Sequence, residues 1–468
     1  MDTCIIGKCE DSWWSASAVF QLGKRREVNM YLHGTSQINV HGHLEIGGVD
    51  TVALAQDHGT PLYVYDVALI RQKATEFKEA FEKENVPYQV AYASKAFSCI
   101  AMYQLADELG LSFDVVSGGE LYTAIKAEVP MNKVHFHGNN KSRAELELAV
   151  KAGIGCVVVD NFYEMTLLED ICARFGKTMD VLLRITPGVE AHTHDYISTG
   201  QEDSKFGFDL TNGQVDQAIK QALASTTMNL LGIHSHIGSQ IFETKGFVMA
   251  VEKIFEYIEH WRTELEFIPR VLNLGGGFGI RYVEGDEPLP AGEYVYQMIK
   301  VMKQYAEQFE MALPEIWIEP GRSLVGDAGS TLYTVGSQKD IPNVRHYLAV
   351  DGGMSDNLRP SLYQAEYEGI LANRANEEAT DTFSIAGKCC ESGDMLIWDL
   401  PLPKANHEDI LAVFCTGAYG YSMANNYNRI PRPPVVFVEN GEVQLVVKRE
   451  EYDDLVRLDV PLTKTVEL

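Results

Sequence analysis

A lysine ends an otherwise apolar run in "YASKAF", Tyr92 to Phe97, with small residues on both sides. The preceding "VPYQVAYA" reads as a strand with Pro87 at its entry. A lysine just past a buried strand is costly to place unless its amine has a partner or a purpose. Two readings fit Lys95. It is a surface lysine that snorkels, or its amine is kept desolvated to form a Schiff base with a carbonyl.

Other stretches carry chemistry too. "LGGGFGI", Leu274 to Ile280, fails the dinucleotide fingerprint, because its third glycine would fall at Ile280 or Tyr282. It reads as a tight turn, or as a nest of N–H groups that approaches a phosphate because no Cβ obstructs it. "IEPGRSLVG" puts Glu319 three residues before Arg322. A buried carboxylate there needs a cationic partner, either Arg322 or a protonated pyridine nitrogen. "VHFHGNN" and "HSHIGSQ" place His135 with His137, and His234 with His236, in H-x-H pairs. Such pairs admit a metal reading, but no aspartate closes the neighbouring "EIWIE" run, and no metal is expected. "HTHD", His192 to Asp195, reads as solvated loop. "GKCCESGD" sets the thiol of Cys390 beside Glu391, and "SDNLRP" and "TGAYGYSMANNYN" add Asn357, Arg359 and Tyr419.

These residues punctuate a regular alternation. Eight β-type runs lie between residues 89 and 320: "QVAYA", "SFDVV", "KVHFH", "CVVVD", "DVLLRI", "LLGIHSH", "VLNLG" and "EIWIE". Helix-period text separates most of them, as in "DVALIRQKATEFKEAFEKE", where Ile70, Ala74, Phe77 and Phe81 share a face. Eight such units predict a (β/α)8 barrel, with a doubly wound sheet as the alternative. Each strand ends in polar or glycine residues, and barrel active sites are built from that rim. The flanks differ. Residues 30–62 and 326–468 are short alternating runs bounded by Gly, Pro and Asn, predicting one all-β domain of Greek-key, barrel-like character around a barrel at 63–325.

Composition bounds the partners. With 468 residues and 46% apolar content, the chain is expected to form two domains. A formal charge of -27 argues against nucleic acid and anionic membranes, and no apolar run is long enough to span a bilayer. Eight cysteines, including Cys4 and Cys9, show neither a disulfide framework nor a zinc site, which fits a reducing cytoplasm. Residues 1–29 make a poor secretory signal and read as disordered, with Met30 as a plausible alternative start.

Taken in order, "YASKAF", "DVVSGGEL", "HFHGNNKS", "TGQEDSKFGF", "HSHIGSQ", "LNLGGGFGI", "EPGR", "CCESGD" and "TGAYGYSMANNYNR" resemble the diaminopimelate decarboxylases. These belong to the pyridoxal-phosphate group that also holds ornithine decarboxylase and alanine racemase. The resemblance covers Met30 to Leu468. It implies decarboxylation of meso-2,6-diaminopimelate to L-lysine, the last step of lysine biosynthesis, by a homodimer with composite active sites.

By that resemblance Lys95 is the Schiff-base lysine, Glu319 faces the pyridinium nitrogen and His236 stacks on the ring. Gly238, Ser239, Gly275, Gly276, Gly277 and Arg322 hold the phosphate, with Pro320 and Gly321 in the same cofactor site, and Tyr419 closes it. Arg322, Arg359, Tyr363, Glu391 and Tyr419 match substrate-binding positions, and Cys390 is the proton donor. Ornithine decarboxylases usually carry aspartate after this cysteine, so "CES" points to the diaminopimelate branch. The alternatives are an amino-acid racemase, a decarboxylase of another diamino acid, and a non-catalytic cofactor-binding regulator.

Overall fold

Short runs rich in Val, Ile and Leu, separated by amphipathic text, are what a parallel sheet covered by helices requires. The computed structural model describes residues 31–189 and 204–462. Residues 1–29 and the "HTHD" run therefore lie outside the described residues.

Eight parallel strands form a closed ring: Tyr88–Ala93, Ser112–Val115, Val134–Phe136, Cys156–Val159, Met179–Thr186, Met228–Ser235, Val271–Asn273 and Glu315–Ile318. The last pairs with the first, with Ile316 opposite Tyr88, and the fourth pairs with the fifth, so no edge remains. These are the eight expected strands.

The helix before the first strand shows how the sequence builds the outer layer. Val67–Glu84 starts where Asp66 accepts a hydrogen bond from the Leu69 amide, and it ends at Asn85 in the left-handed conformation. Ile70, Ala74, Phe77 and Phe81 are its buried face, as the periodicity predicts.

The second sheet is mixed. Its order is Met395–Leu402, Asp381–Ala386, Arg345–Val350, Gly329–Ile341, Leu62–Asp66, Val435–Glu439 and Glu442–Val447. Leu62–Asp66 runs antiparallel to Gly329–Ile341 and parallel to Val435–Glu439. The expected barrel start at 63 therefore needs correction, because this strand belongs to the second sheet and the barrel portion begins with the helix at Val67. "LYVYD" is buried along its whole length, and no alternation marks which sheet it joins. A separate three-stranded sheet of Gln37–Ile38, Leu44–Ile46 and Val49–Asp50 precedes it.

Candidate active site

Residues two apart on a barrel strand occupy successive layers of the interior. One layer holds His135 stacked on Trp317, with ring centroids 4.4 Å apart. The next layer toward the strand ends holds His137, His234, Asn273 and Glu319. His137 Nε2 lies 2.9 Å from Glu319 Oε1, His234 Nε2 3.1 Å from Oε2, and Asn273 Nδ2 donates to Oε1 at 2.6 Å. Burial alone would raise the Glu319 carboxyl, but His137 and His234 overcome it and hold the group well below its ordinary range. Glu319 is thus an anion. Arg322 is not its partner; the two imidazoles and the amide are.

Lys95 follows in a short 3-10 turn, Ser94–Ala96, at the end of the first strand. The turn is anchored on both sides. Ser94 Oγ donates to the Asp114 carbonyl at 2.8 Å, and the Ala96 carbonyl accepts from the Tyr419 amide at 2.8 Å and the Ser422 hydroxyl at 3.0 Å. As a residue Lys95 keeps an exposed surface, while its amine feels the burial of the site around it. Burial of its surroundings lowers its pKa, yet Tyr419, Asp114 and Glu319 outweigh that and raise it. His236 is held neutral by burial and then by the nearby charge of Lys95, and its Nδ1 accepts the Gly276 amide at 3.2 Å.

The glycine run closes against these strand ends. A Cβ on Gly276 would lie 2.1 Å from the Glu319 carbonyl, and one on Gly277 (φ +108°) 2.4 Å from the Gly238 carbonyl. Two of its amides already serve inside the protein, Gly275 donating to Asn273 Oδ1 at 2.9 Å and Gly276 to His236. On the other side Pro320 O accepts from the Ala93 amide at 3.1 Å, and Gly321 packs on Ala93, leaving no slack beside the lysine turn.

Two buried arginines share one tyrosine. Arg322 Nη1 donates to the Tyr282 hydroxyl and Nη2 to Ser239 Oγ at 2.9 Å, while its Nε has no partner. Its guanidinium also lies 4.9 Å from the Tyr419 ring centroid. Arg359 stacks 5.1 Å from the Tyr282 ring centroid and donates to the Tyr367 hydroxyl at 2.7 Å. Burial would lower the Arg359 pKa, but Tyr282 and Tyr367 raise it, so the charge persists. Among the described residues neither arginine pairs with a carboxylate, although Arg322 is 6% and Arg359 8% exposed. A buried cation without an anion is costly, which marks this pair as a place for an anionic ligand.

Known proteins match this arrangement along the chain. The profile described as pyridoxal-dependent decarboxylase, pyridoxal binding domain, matches residues 67–326. Diaminopimelate decarboxylase of Halalkalibacterium halodurans is 74% identical over 439 residues, covering 94% of this chain and 100% of the relative. That of Bacillus subtilis is 68% identical over 432 residues, covering 92% and 98%. The diaminopimelate decarboxylase structure from M. jannaschii superposes with a TM-score of 0.85 at 36% identity, over 92% of this chain and 98% of that one.

The chain belongs to the diaminopimelate decarboxylase family.

Set against that family, the expected residues fall into two groups. Lys95, His236, Gly238, Ser239, Gly275, Gly276, Gly277, Glu319, Pro320, Gly321, Arg322 and Tyr419 are linked to one another by the contacts above. Arg359 joins them through Tyr282. Tyr363, Cys390 and Glu391 do not. Tyr363 ends the short helix Arg359–Tyr363 and is 36% exposed. Cys390 and Glu391 are exposed on a loop fixed from below, where the Asp394 carboxylate accepts the amides of Met354 and Cys389 at 2.6 and 2.7 Å. Cys390 N donates to Asn428 Oδ1 at 2.7 Å.

Sequence reasoning missed Tyr282, Tyr367, Asn273 and the role of His137. The H-x-H spacing flagged the histidines, but nothing in the sequence marks the tyrosines as partners of arginines.

The residues fit a phosphorylated pyridoxal. An open amine, a fixed anion, a glycine cradle that excludes any Cβ and an arginine with an unpartnered Nε supply what each end of that cofactor needs. Gly276→Ala is expected to destabilise the fold by about 1–3 kcal/mol, because the added methyl must displace backbone. It should also weaken cofactor binding. Thermal melting and cofactor titration check both.

Proposed function

We propose that this chain decarboxylates meso-2,6-diaminopimelate to L-lysine and carbon dioxide, with pyridoxal phosphate held at Lys95. The observation that carries the reading is the pair of buried arginines without acidic partners, next to the lysine turn. Diaminopimelate has one amino-acid end to react and a second to be recognised, and a guanidinium suits the remote carboxylate. Structures of the relatives from M. jannaschii and Helicobacter pylori are complexes with L-lysine.

The cofactor, when bound, supplies an electron sink for cleavage of the bond to the carboxylate. The chain's own residues do the rest. Lys95 provides the amine that holds it, and the Glu319 anion favours a protonated ring nitrogen. Neutral His236 offers a flat face without competing charge, while Arg322, Ser239 and the glycine run receive the phosphate. Arg359 binds the distal carboxylate, Glu391 the distal ammonium, and Cys390 delivers the proton that replaces carbon dioxide. Because Cys390, Glu391 and Tyr363 face outward, we assign them to the site of a second copy in a homodimer that works in the cytoplasm. Among the described residues no helix is long and apolar enough to cross a membrane, and the six described cysteines are free.

Incubation of purified protein with meso-diaminopimelate tests the reading. Release of carbon dioxide with L-lysine supports it; epimerisation without carbon dioxide indicates a racemase, and no turnover indicates a binding protein. Arg359→Ala is expected to raise KM for diaminopimelate by thirtyfold to several thousandfold, since truncating a buried charge pair costs on the order of 2–5 kcal/mol. Any weak activity on a diamino monoacid should change little. Equal losses on both substrates would make Arg359 structural.

A further inference from the structure

We infer that His137 and His234 are positioning residues that clamp the Glu319 carboxylate in one orientation, and that Asn273 ties this clamp to the glycine run. The inference rests on the proposed pyridoxal-phosphate reading, in which Glu319 faces the ring nitrogen.

A glutamate side chain ends in a broad, easily rotated torsion. In this site each carboxylate oxygen has its own imidazole: His234 Nε2 hydrogen-bonds Oε2 at 3.1 Å, and His137 Nε2 lies 2.9 Å from Oε1 as an ion-pair approach without hydrogen-bond alignment. Rotation would break both contacts at once. Asn273 adds a third restraint, donating to Oε1 at 2.6 Å while its own oxygen accepts the Gly275 amide at 2.9 Å. The Glu319 amide returns the link by donating to the Gly275 carbonyl at 2.8 Å. The groups proposed to meet the ring nitrogen and the phosphate are therefore one hydrogen-bonded unit.

The two imidazoles also set the charge. Burial would raise Glu319, but the nearby charge of His137 and of His234, and then hydrogen bonding to the ionised form, hold it well below its ordinary range. His234 Nδ1 has no hydrogen-bond partner, so its proton is placed on Nε2, facing Glu319. Asp114, a second buried carboxyl 3.7 Å from His137 Nε2, is instead pushed up to about 6 by burial. Of the two neighbouring acids, the one beside both imidazoles therefore gives up its proton at the lower pH. The strand alternation explains the choice of residues. His135 and His236, two positions away, fall in the layers below and above and make other contacts.

A divalent ion is the rival occupant, since donor atoms of His137, His234 and Glu319 lie within 4.8 Å of one another. Size-matched variants separate the readings. His137→Gln and His234→Gln keep an N–H donor, whereas His137→Leu and His234→Leu do not, and equal melting temperatures within each pair remove folding as an explanation. Full-length protein stripped of cofactor would be titrated with pyridoxal phosphate and followed by absorbance. The Leu variants should bind about 10- to 100-fold more weakly than wild type, the scale of one hydrogen bond to a charged group. Their kcat should fall while KM for diaminopimelate holds, and the Gln variants should recover most of both. Leu variants with wild-type affinity and kcat would overturn the inference. So would a cobalt(II) visible band in cofactor-free wild type that vanishes in His137→Leu. Failure of wild type itself to bind pyridoxal phosphate would instead overturn the proposed function.

Discussion

Lys95→Ala protein is expected to lose turnover by on the order of 10⁴-fold or more, the scale seen when a covalent nucleophile is removed. The loss should be chemical rather than structural. Lys95 is exposed at the barrel mouth, and its turn is held by main-chain and hydroxyl contacts of Ser94 and Ala96, which the substitution leaves in place. Melting temperature should therefore stay near that of wild type. Borohydride should fix cofactor to wild-type protein at Lys95, read as a peptide mass, and should fix none to the variant. Lys95→Arg, which keeps the charge and cannot form the same bond, should be as inactive as Lys95→Ala. The pH dependence has a definite sign. Tyr419, Asp114 and Glu319 raise the Lys95 pKa above its ordinary value, so at neutral pH the amine is almost wholly protonated and cannot attack. Cofactor uptake by stripped wild type should accelerate as pH rises, by about tenfold per unit below that pKa. Colour and turnover that survive in Lys95→Ala would remove this residue from the chemistry.

The barrel was legible because its strands are buried on both faces, so each appears as a short apolar run ending in a polar residue. The helix at Val67–Glu84 was equally plain, with its cap and its buried face written in one stretch. Contacts between distant strands were not. Glu319 meets His234 across 85 residues, and the sequence offered nearby Arg322 as its natural partner. Arg322 is drawn away by Tyr282 and Ser239, which hold its guanidinium over the Tyr419 ring. Local spacing names residues able to do chemistry, but ring closure decides which of them meet. The strand Leu62–Asp66 failed for a related reason, since a wholly buried run fits either sheet until its neighbours are known.

Mixing two inactive proteins is expected to restore activity. Lys95 and Cys390 are separated by 295 positions, and their side chains are not linked by the contacts around the barrel mouth. The Cys390 loop has little freedom to swing toward Lys95 of its own chain. The Asp394 carboxylate grips it through the Met354 and Cys389 amides, and Asn428 holds the Cys390 amide. A fixed, outward-facing thiol beside Glu391 serves a barrel mouth only if another subunit brings that mouth to it, and a two-fold interface would do so twice. In a Lys95→Ala, Cys390→Ala heterodimer one site then carries both defects and the other carries neither. Random exchange makes half of the dimers mixed, so about one site in four should be wild type. The measurement is carbon dioxide release before and after exchange, with heterodimer formation followed by intact mass. The recovered rate should track the heterodimer fraction and plateau near a quarter of the wild-type value. Confirmed exchange without any recovery would place Lys95 and Cys390 in the same subunit's site, and the composite dimer would have to be abandoned.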